Sequence, residues 1–565
     1  MPSLRLLLCL ILVLSIHGGY AWLSNRPQDA GTDVPAGKLM SLSFAPFREG
    51  FNPLLEKFPL AEHVDEDLRL LADKTETVRT YSSLGGMQPT PELARKYGLQ
   101  MIQGCWIDAI YLDNQREMEA LIKSANANPD VVKRVIVGNE VLLRGEMDVD
   151  RLIGYIRAVK QAVKQPVSYA DVWSMYMKHP QLINEVDFIT IHILPYWEDE
   201  PISVENATQH LEKIVKQVED EARGIAPGKP ILIGESGWPS AGRQRGLAVP
   251  SVVNEAKFIR GMIQVAKRHN FDYNIVEAFN QPWKSELEGV VGANWGLFSA
   301  SRKPVFPLTG PVSETPNWPW RLAAAMLLGV AVVGVLFNNL RAMPWRGLLL
   351  ILAIIQTFSA CLVTLADFLW YTSYSDWQRL YTVLIVLANA AIAGLLLTRT
   401  QQIVAGRPGM LELAKALRTA YLMFIGLALY KTYGLAVNGR YLSFPIEQFS
   451  IPVSGLAALI VAQWLGAGKS GGLPAFERLI GWELGLKHSR VVAYLLSFAI
   501  VGMVVGECLA FMVGRDFIQA HPGIAEGLPV ALSYTLNNQQ LATWLLYLAA
   551  LSLPFWFGKP QNANL

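Results

Sequence analysis

Two glutamates stand out by where they fall in this 565-residue chain. Glu140 ends the run Val135-Ile136-Val137-Gly138-Asn139, and Glu235 ends the run Ile231-Leu232-Ile233-Gly234. An ionised carboxylate next to a buried apolar run is costly unless it is paired or put to use. One such residue is ordinarily structural. Two, on strands facing across a common mouth, are better explained as an acid–base or acid–nucleophile pair. No cluster of His, Cys and carboxylates at metal-ligand spacing is visible, so neither a metal nor another cofactor is expected.

The elements that would position such a pair are short β-rich runs alternating with amphipathic stretches. The runs cover 40–46, 77–81, 99–107, 133–141, 166–172, 186–195, 230–238 and 271–280. Helical patterns cover 61–75, 114–127, 149–164, 204–222 and 251–268. Eight strand-then-helix repeats predict an α/β fold, a (β/α)8 TIM barrel. Runs such as Val135-Ile136-Val137 are apolar throughout, as strands buried on both faces must be. An open doubly wound sheet is the alternative, but no glycine-rich phosphate loop follows the first run. In a barrel, chemistry sits at the C-terminal ends of the strands, which is where both glutamates lie.

The rest of the chain is of another character. It is 52% hydrophobic and only 17% charged, with mean hydropathy +0.26, whereas soluble domains carry about 25% charged residues. Disorder and coiled coil are excluded for the bulk of the chain. A net charge of +2 with no basic stripe excludes nucleic-acid binding. Cys9, Cys361 and Cys508 sit in apolar runs, leaving Cys105 with no internal partner in the polar part. Residues 1–22 have the layout of a signal peptide, with cleavage near Gly19-Tyr20-Ala21, or of an uncleaved N-terminal membrane anchor. A catalytic domain is expected over 30–308 and a proline-rich linker over 309–320. An all-α polytopic membrane domain of about seven transmembrane helices follows over 321–558, near 322–340, 347–370, 378–398, 417–436, 451–466, 491–513 and 541–557. Arg341, Arg346, Arg399, Arg407, Lys415, Arg418, Lys469, Arg478, Lys487, Arg490 and Lys559 then fall in inside loops, against Arg440 and Arg515 outside. Asp367, Lys431 and Glu507 lie within spans, all within roughly two turns of the outer ends of their helices. They read as snorkelling or ion-paired groups, or as a polar patch that holds a ligand for the external domain.

The segments VIVGNEV (135–141) and ILIGESGWPS (231–240) resemble the acid and nucleophile motifs of glycoside hydrolase family 17, the β-1,3-glucanases and β-1,3-glucan glucosyltransferases. VEAFNQPWK (276–284) and NWGLF (294–298) resemble the strand-eight end of bacterial and fungal members. The likeness runs from about 38 to 300, and the whole architecture is similar to membrane-anchored bacterial members. It implies Glu140 as acid/base and Glu235 as nucleophile, with carboxyl groups about 5–5.5 Å apart. It also implies substrate-binding roles for Asn139, Tyr196, Arg79, Tyr81, Trp238, Glu277, Trp283, Lys284 and Trp295. In this reading Asn139 bonds the sugar 2-hydroxyl and Tyr196 holds the nucleophile. Arg79 orients Glu235 or lines a subsite, with a plain surface ion pair as the alternative. His192 reads as a core histidine satisfied by a backbone carbonyl. Trp106, Trp173, Trp197, Trp238, Trp283 and Trp295 fall at or just past run ends, where indoles could stack on sugar faces. Gln281 and Gly292 stand where the family often has acids, and Glu286 or Glu288 is expected to take the place of the acid missing at 292.

The implied function is a retaining β-1,3-glucan glucosyltransferase that elongates or β-1,6-branches periplasmic β-glucans. A hydrolase with the same pair and a non-catalytic glucan-binding protein are the alternatives. Expected partners are a β-1,3-glucan or laminari-oligosaccharide donor and acceptor, the lipid bilayer and a glucan synthase. The expected location is a bacterial inner membrane, multi-pass, with the catalytic domain on the periplasmic side. Tethering suits a builder of emerging glucan, because attachment raises its encounter concentration.

Overall fold

In the computed structural model, the alternating runs and helices close into a barrel of eight parallel strands in sequence order. The structure describes residues 2–466, 475–481 and 489–557. The strands are β1 Leu39–Ser43, β2 Thr75–Arg79, β3 Gln100–Cys105, β4 Val132–Asn139, β5 Val167–Val172, β6 Ile189–His192, β7 Ile231–Ser236 and β8 Asp272–Ile275. Leu42 pairs with Ile275 and shuts the cylinder. Val135, Val137, Ile189, Ile191 and Ile233 are fully buried, as the continuous apolar runs require. The longer outer helices, Tyr111–Ala127, Val149–Ala162, Val204–Ile225 and Val252–His269, coincide with the amphipathic stretches.

Most strands stop earlier than their sequence runs, and mostly at the C-terminal end. Tyr81, Glu140, Trp238 and Glu277 lie past the last paired residue. The ladder also slips between Ile136 and Asn139, between Ile191 and His192, and between Ile233 and Ser236. Such irregularities re-aim side chains, and here each falls where a polar residue turns toward the mouth.

The chain forms two compact units, residues 27–314 and residues 1–26 with 315 onward. In the barrel unit, Gln28 and Val312 pair through two backbone hydrogen bonds of 2.8 and 2.9 Å, so the unit's two ends lie side by side. Val312 is buried, and Glu314 accepts from Ser251 Oγ at 2.7 Å and from the amides of Val252 and Val253 at 3.2 Å. The C-terminal half of the barrel's own packing thus reaches into the segment read from sequence as linker.

The other unit is helical. Seven described helices are long and apolar enough to cross a membrane: Ser3–Ser24, Trp318–Val335, Trp345–Tyr371, Asp376–Val404, Leu411–Val437, Ile446–Leu465 and Ser489–Met512. Six of the seven expected segments beyond the linker are among them, and the N-terminal segment is the seventh. The segment expected at 541–557 forms the helix Gln539–Trp556, which opens on two glutamines and is not among those seven. The N-terminal helix packs within this unit: Leu6 is buried, and His17 Nδ1 lies 2.8 Å from Gln356 Nε2. Asp367 forms an ion pair with Arg321 at 2.5 Å, and Glu507 Oε1 accepts from Asn538 at 3.2 Å. Lys431 lies 4.8 Å from the ring centre of Tyr381. Lys469, Lys487 and Lys559 lie outside the described residues. All four cysteines are free.

Candidate active site

Four consecutive strand ends, β4 to β7, carry the polar centre of the barrel mouth. Glu140 follows β4 with its backbone in the left-handed region, φ 56°. That conformation is uncommon for a side-chain-bearing residue and persists only where its surroundings hold it. Here the Glu140 amide donates to Ala170 O at 2.8 Å, and Arg144 donates to the preceding Asn139 carbonyl. Glu235 lies in β7, with its side chain 12% exposed against 24% for Glu140. An oxygen of Glu140, an oxygen of Glu235 and a ring nitrogen of His192 all lie within 4.8 Å of one another.

Arg79, buried at the end of β2, ties this centre together. Its Nη1 donates to Gly234 O at 2.7 Å and to Glu235 Oε1 at 3.2 Å, while Nη2 donates to Asn139 Oδ1 at 2.6 Å. The last bond fixes the Asn139 amide with its NH2 turned away from Arg79. The surface ion pair considered for Arg79 is therefore excluded, since the side chain is 1% exposed. Tyr81 lies beneath the guanidinium, ring centre 4.8 Å from Cζ, and donates to Ser43 Oγ at 2.9 Å. Burial, reinforced by Glu235, pushes its phenol well above the ordinary tyrosine value.

Burial works against the charge on Glu235. The neighbouring His192, Arg79 and Lys284 side chains outweigh it and hold the carboxyl below its usual range. Glu277, at the β8 end, is pushed up to about 7 by burial, although Lys284 Nζ lies 3.2 Å away and pulls the other way. Burial also opposes the Lys284 ammonium, but Glu277, Glu288 and Glu235 together raise it. Of the two acids considered for the missing position at 292, Glu288 is the one that reaches this group. A side chain on Gly292 would meet the Glu288 carboxylate at 2.5 Å and its Cβ at 2.1 Å. The absence of a side chain at 292 thus leaves the room that Glu288 occupies.

Several expectations are corrected. His192 is buried, but its partner is Glu140 Oε1, 2.8 Å from Nδ1, and not a backbone carbonyl. The Tyr196 hydroxyl donates to Arg243 O at 2.5 Å, and the buried ring packs against Trp197, Trp238 and Trp295. Trp238 is fully buried with its indole N–H on Val249 O, and Trp295 is 4% exposed and stacked on Trp197. Both belong to the packed wall and offer no open face to a ligand. Trp283 is half-buried, held by Gln281 Oε1 at 3.0 Å, and Trp106 is 38% exposed beside Arg144. Asp171 in β5 was not anticipated. Burial, aided by Glu140, pushes it up to about 6, while Tyr169 and His192 oppose the rise. Its signal in the sequence was an acid inside an otherwise apolar run.

The cluster Glu140, His192 and Glu235 has donor atoms close enough to hold a metal ion. Arg79, bonded to Glu235, and Lys284 nearby place positive charge against a cation there.

Comparisons with known proteins place the barrel among glycoside hydrolases. Residues 42–296 match the family model of the BtgE/BtgC glycoside hydrolase domain. A glycoside hydrolase family 17 β-1,3-glucanosyltransferase from Rhizomucor miehei is 31% identical; the match covers 95% of that chain and 47% of this one, with a TM-score of 0.41. The chain belongs to glycoside hydrolase family 17. A glucan 1,3-beta-glucosidase of Arthroderma benhamiae is 28% identical over 257 residues, 82% of its length and 43% of this chain. A probable beta-glucosidase, btgE, of Neosartorya fischeri is 30% identical over 46% of each chain, so this family 17 chain spans about half the length of that longer relative. Family membership makes the protein an enzyme of the glycoside hydrolase type, and the family-model match lies within the barrel unit.

Proposed function

We propose that this protein is a retaining β-1,3-glucan glucosyltransferase in which Glu235 is the nucleophile and Glu140 the acid/base. The observation that carries the reading is the approach of the two carboxyl groups: an oxygen of each lies within 4.8 Å of the other. That spacing suits direct attack on the anomeric carbon, whereas an inverting pair stands about 6.5–9.5 Å apart to admit water. Glu235, held ionised by Arg79 and Lys284, attacks C1 as Glu140 gives its proton to the departing glycosidic oxygen. Glu140 then takes a proton from the acceptor hydroxyl, which attacks C1 and releases Glu235. Asn139, whose Oδ1 is taken by Arg79 and whose NH2 is left to donate, is suited to bond the sugar 2-hydroxyl, a contact that strengthens in the transition state.

β-1,3-Glucan as substrate is supported by the names of the relatives, one of which was solved, as an active-site mutant, with laminaritriose. Transfer over hydrolysis is supported by the apolar helices that accompany the barrel. Elongation and β-1,6 branching are the two products such an intermediate can give with sugar acceptors. We place the chain in a bacterial inner membrane, barrel on the periplasmic side, fed by a glucan synthase. The named relatives are fungal, so the bacterial setting rests on the resemblance of the whole architecture. The N-terminal helix, bonded to Gln356, reads as a retained anchor and not a cleaved signal.

The experiment is incubation of the full chain in detergent with laminaritriose, reading product length and linkage. Longer or branched products support transfer, and shorter products alone support the hydrolase. If wild type and Glu235→Gln both leave the sugar intact yet bind it, the protein is a binder.

A further inference from the structure

His192 lies in the mouth with its ring between both carboxylates. Its side chain is fully buried, Nδ1 lies 2.8 Å from Glu140 Oε1, and Nε2 lies 3.7 Å from Glu235 Oε1 without a hydrogen bond to it. The ring has a built seat. A Cβ on Gly234 would stand 3.2–3.3 Å from the imidazole and 2.5 Å from Thr190 Cγ2, so the residue before the nucleophile must be small for the ring to lie there. Asp171 in β5 and Arg79 in β2 complete the charged surroundings of the group.

We propose that His192 is a positioning residue for Glu140, a neutral imidazole whose Nδ1–H holds one carboxyl oxygen and so keeps the acidic proton on the other. The assignment rests on the reading of Glu140 as acid/base. The tautomer follows from the two contacts together. With the proton on Nδ1, the bond to Glu140 Oε1 is made and Nε2 presents a lone pair to Glu235. Two acceptors do not bond, in keeping with the 3.7 Å gap. With the proton on Nε2, Nδ1 would instead accept the Glu140 proton and turn it away from the substrate. Held as proposed, Glu140 meets the glycosidic oxygen with its O–H oxygen. That O–H bond breaks as the proton passes to the leaving oxygen and C1–O cleaves. The electron pair of Glu235 forms the new C1–O bond, and the leaving sugar departs as an alcohol. His192 neither gains nor loses a proton in the step.

A positioning role for the acid predicts a dependence on the leaving group that a structural role does not. The full chain is assayed in detergent for kcat/KM, which reports the first chemical step. One substrate is laminaritriose; the other is a dinitrophenyl β-laminaribioside, whose leaving group departs without a proton. His192→Ala is expected to lose about 10²-fold on laminaritriose, the scale of a misplaced catalytic group, and less than about threefold on the aryl substrate. His192→Asn, which keeps an N–H near the place of Nδ1, is expected to recover at least tenfold of the loss. Should the alanine variant fail to fold, the asparagine variant is read alone, and a 10²-fold loss on both substrates overturns the proposal. Equal losses by His192→Ala on both substrates, or no loss on either, likewise overturn it. Wild type inert toward both substrates would instead sink the glucosyl-transfer reading itself.

Discussion

Arg79 divides one guanidinium among the carbonyl before the nucleophile, the nucleophile itself and the amide beside the acid. A single buried side chain thereby sets the relation between two strand ends on opposite sides of the mouth. Glu277 behaves differently, because burial raises it to about 7 from a usual value near 4.5. The unfolded chain therefore ionises at this residue before the folded one does. The stability tied to the protonated carboxyl is complete below pH 4.5 and is lost as pH rises through 7. At about 1.4 kcal/mol per pH unit, the loss is of order 3 kcal/mol. Glu277→Gln is expected to remove that part of the slope in unfolding midpoints measured from pH 4 to 8; an unchanged slope would show that Glu277 is already ionised. At this scale the sequence was legible where a residue type clashes with its setting, as for a glutamate closing an apolar run. His192 was not legible, because a histidine inside a strand looks the same whether a carbonyl or a carboxylate meets it. Trp238 and Trp295 were misread for the converse reason: a strand-end indole turns to the mouth or to the wall depending on neighbours distant in sequence.

At the scale of elements, eight apolar runs were enough to foresee eight strands and their closure. Their ends were not, because Tyr81, Glu140, Trp238 and Glu277 keep a strand-like composition while leaving the ladder. The boundary is set by where site geometry overrides pairing. The segment after the barrel was legible as proline-rich but not as part of the fold. Glu314 accepts three bonds at the N-terminus of Val252–His269, where a negative charge also meets the helix dipole. Glu314→Ala is expected to destabilise the barrel by about 1 kcal/mol, within the range of lost caps. Chemical denaturation followed by tryptophan fluorescence would reveal it, and a variant as stable as wild type would mean Ser251 suffices as a cap. Glu314 is the last residue of the barrel unit, so these bonds hold that unit's C-terminal end on the start of the helix.

For the whole molecule, composition separated a barrel from a set of apolar helices, and the structure has both as separate compact units. The count of spans was harder, since Gln539–Trp556 is only 18 residues long and opens on two glutamines, and the N-terminal segment reads from sequence either as a signal peptide or as an anchor. With both taken as spans, the proposed orientation has both chain ends on the cytoplasmic side and the barrel outside. This orientation is tested by replacing the four native cysteines and adding one at exposed Glu56 or exposed Arg407. An impermeant thiol reagent is expected to label Glu56→Cys in intact cells and Arg407→Cys only after permeabilisation; the reverse pattern would invert the topology. Asp367, paired with Arg321, fits the plain reading of an ion pair between helices, worth more to assembly than to chemistry.

The central claim is that a sugar becomes bonded to Glu235 midway through the reaction. Incubating the protein with a 2-deoxy-2-fluoro-β-laminaribiosyl fluoride slows release of the intermediate, and peptide mass mapping then locates any adduct. One glycosyl mass on the peptide holding Glu235, lost again when laminaribiose is added as acceptor, is the predicted result. An adduct on another residue, or none while the fluoride is still consumed, would contradict it.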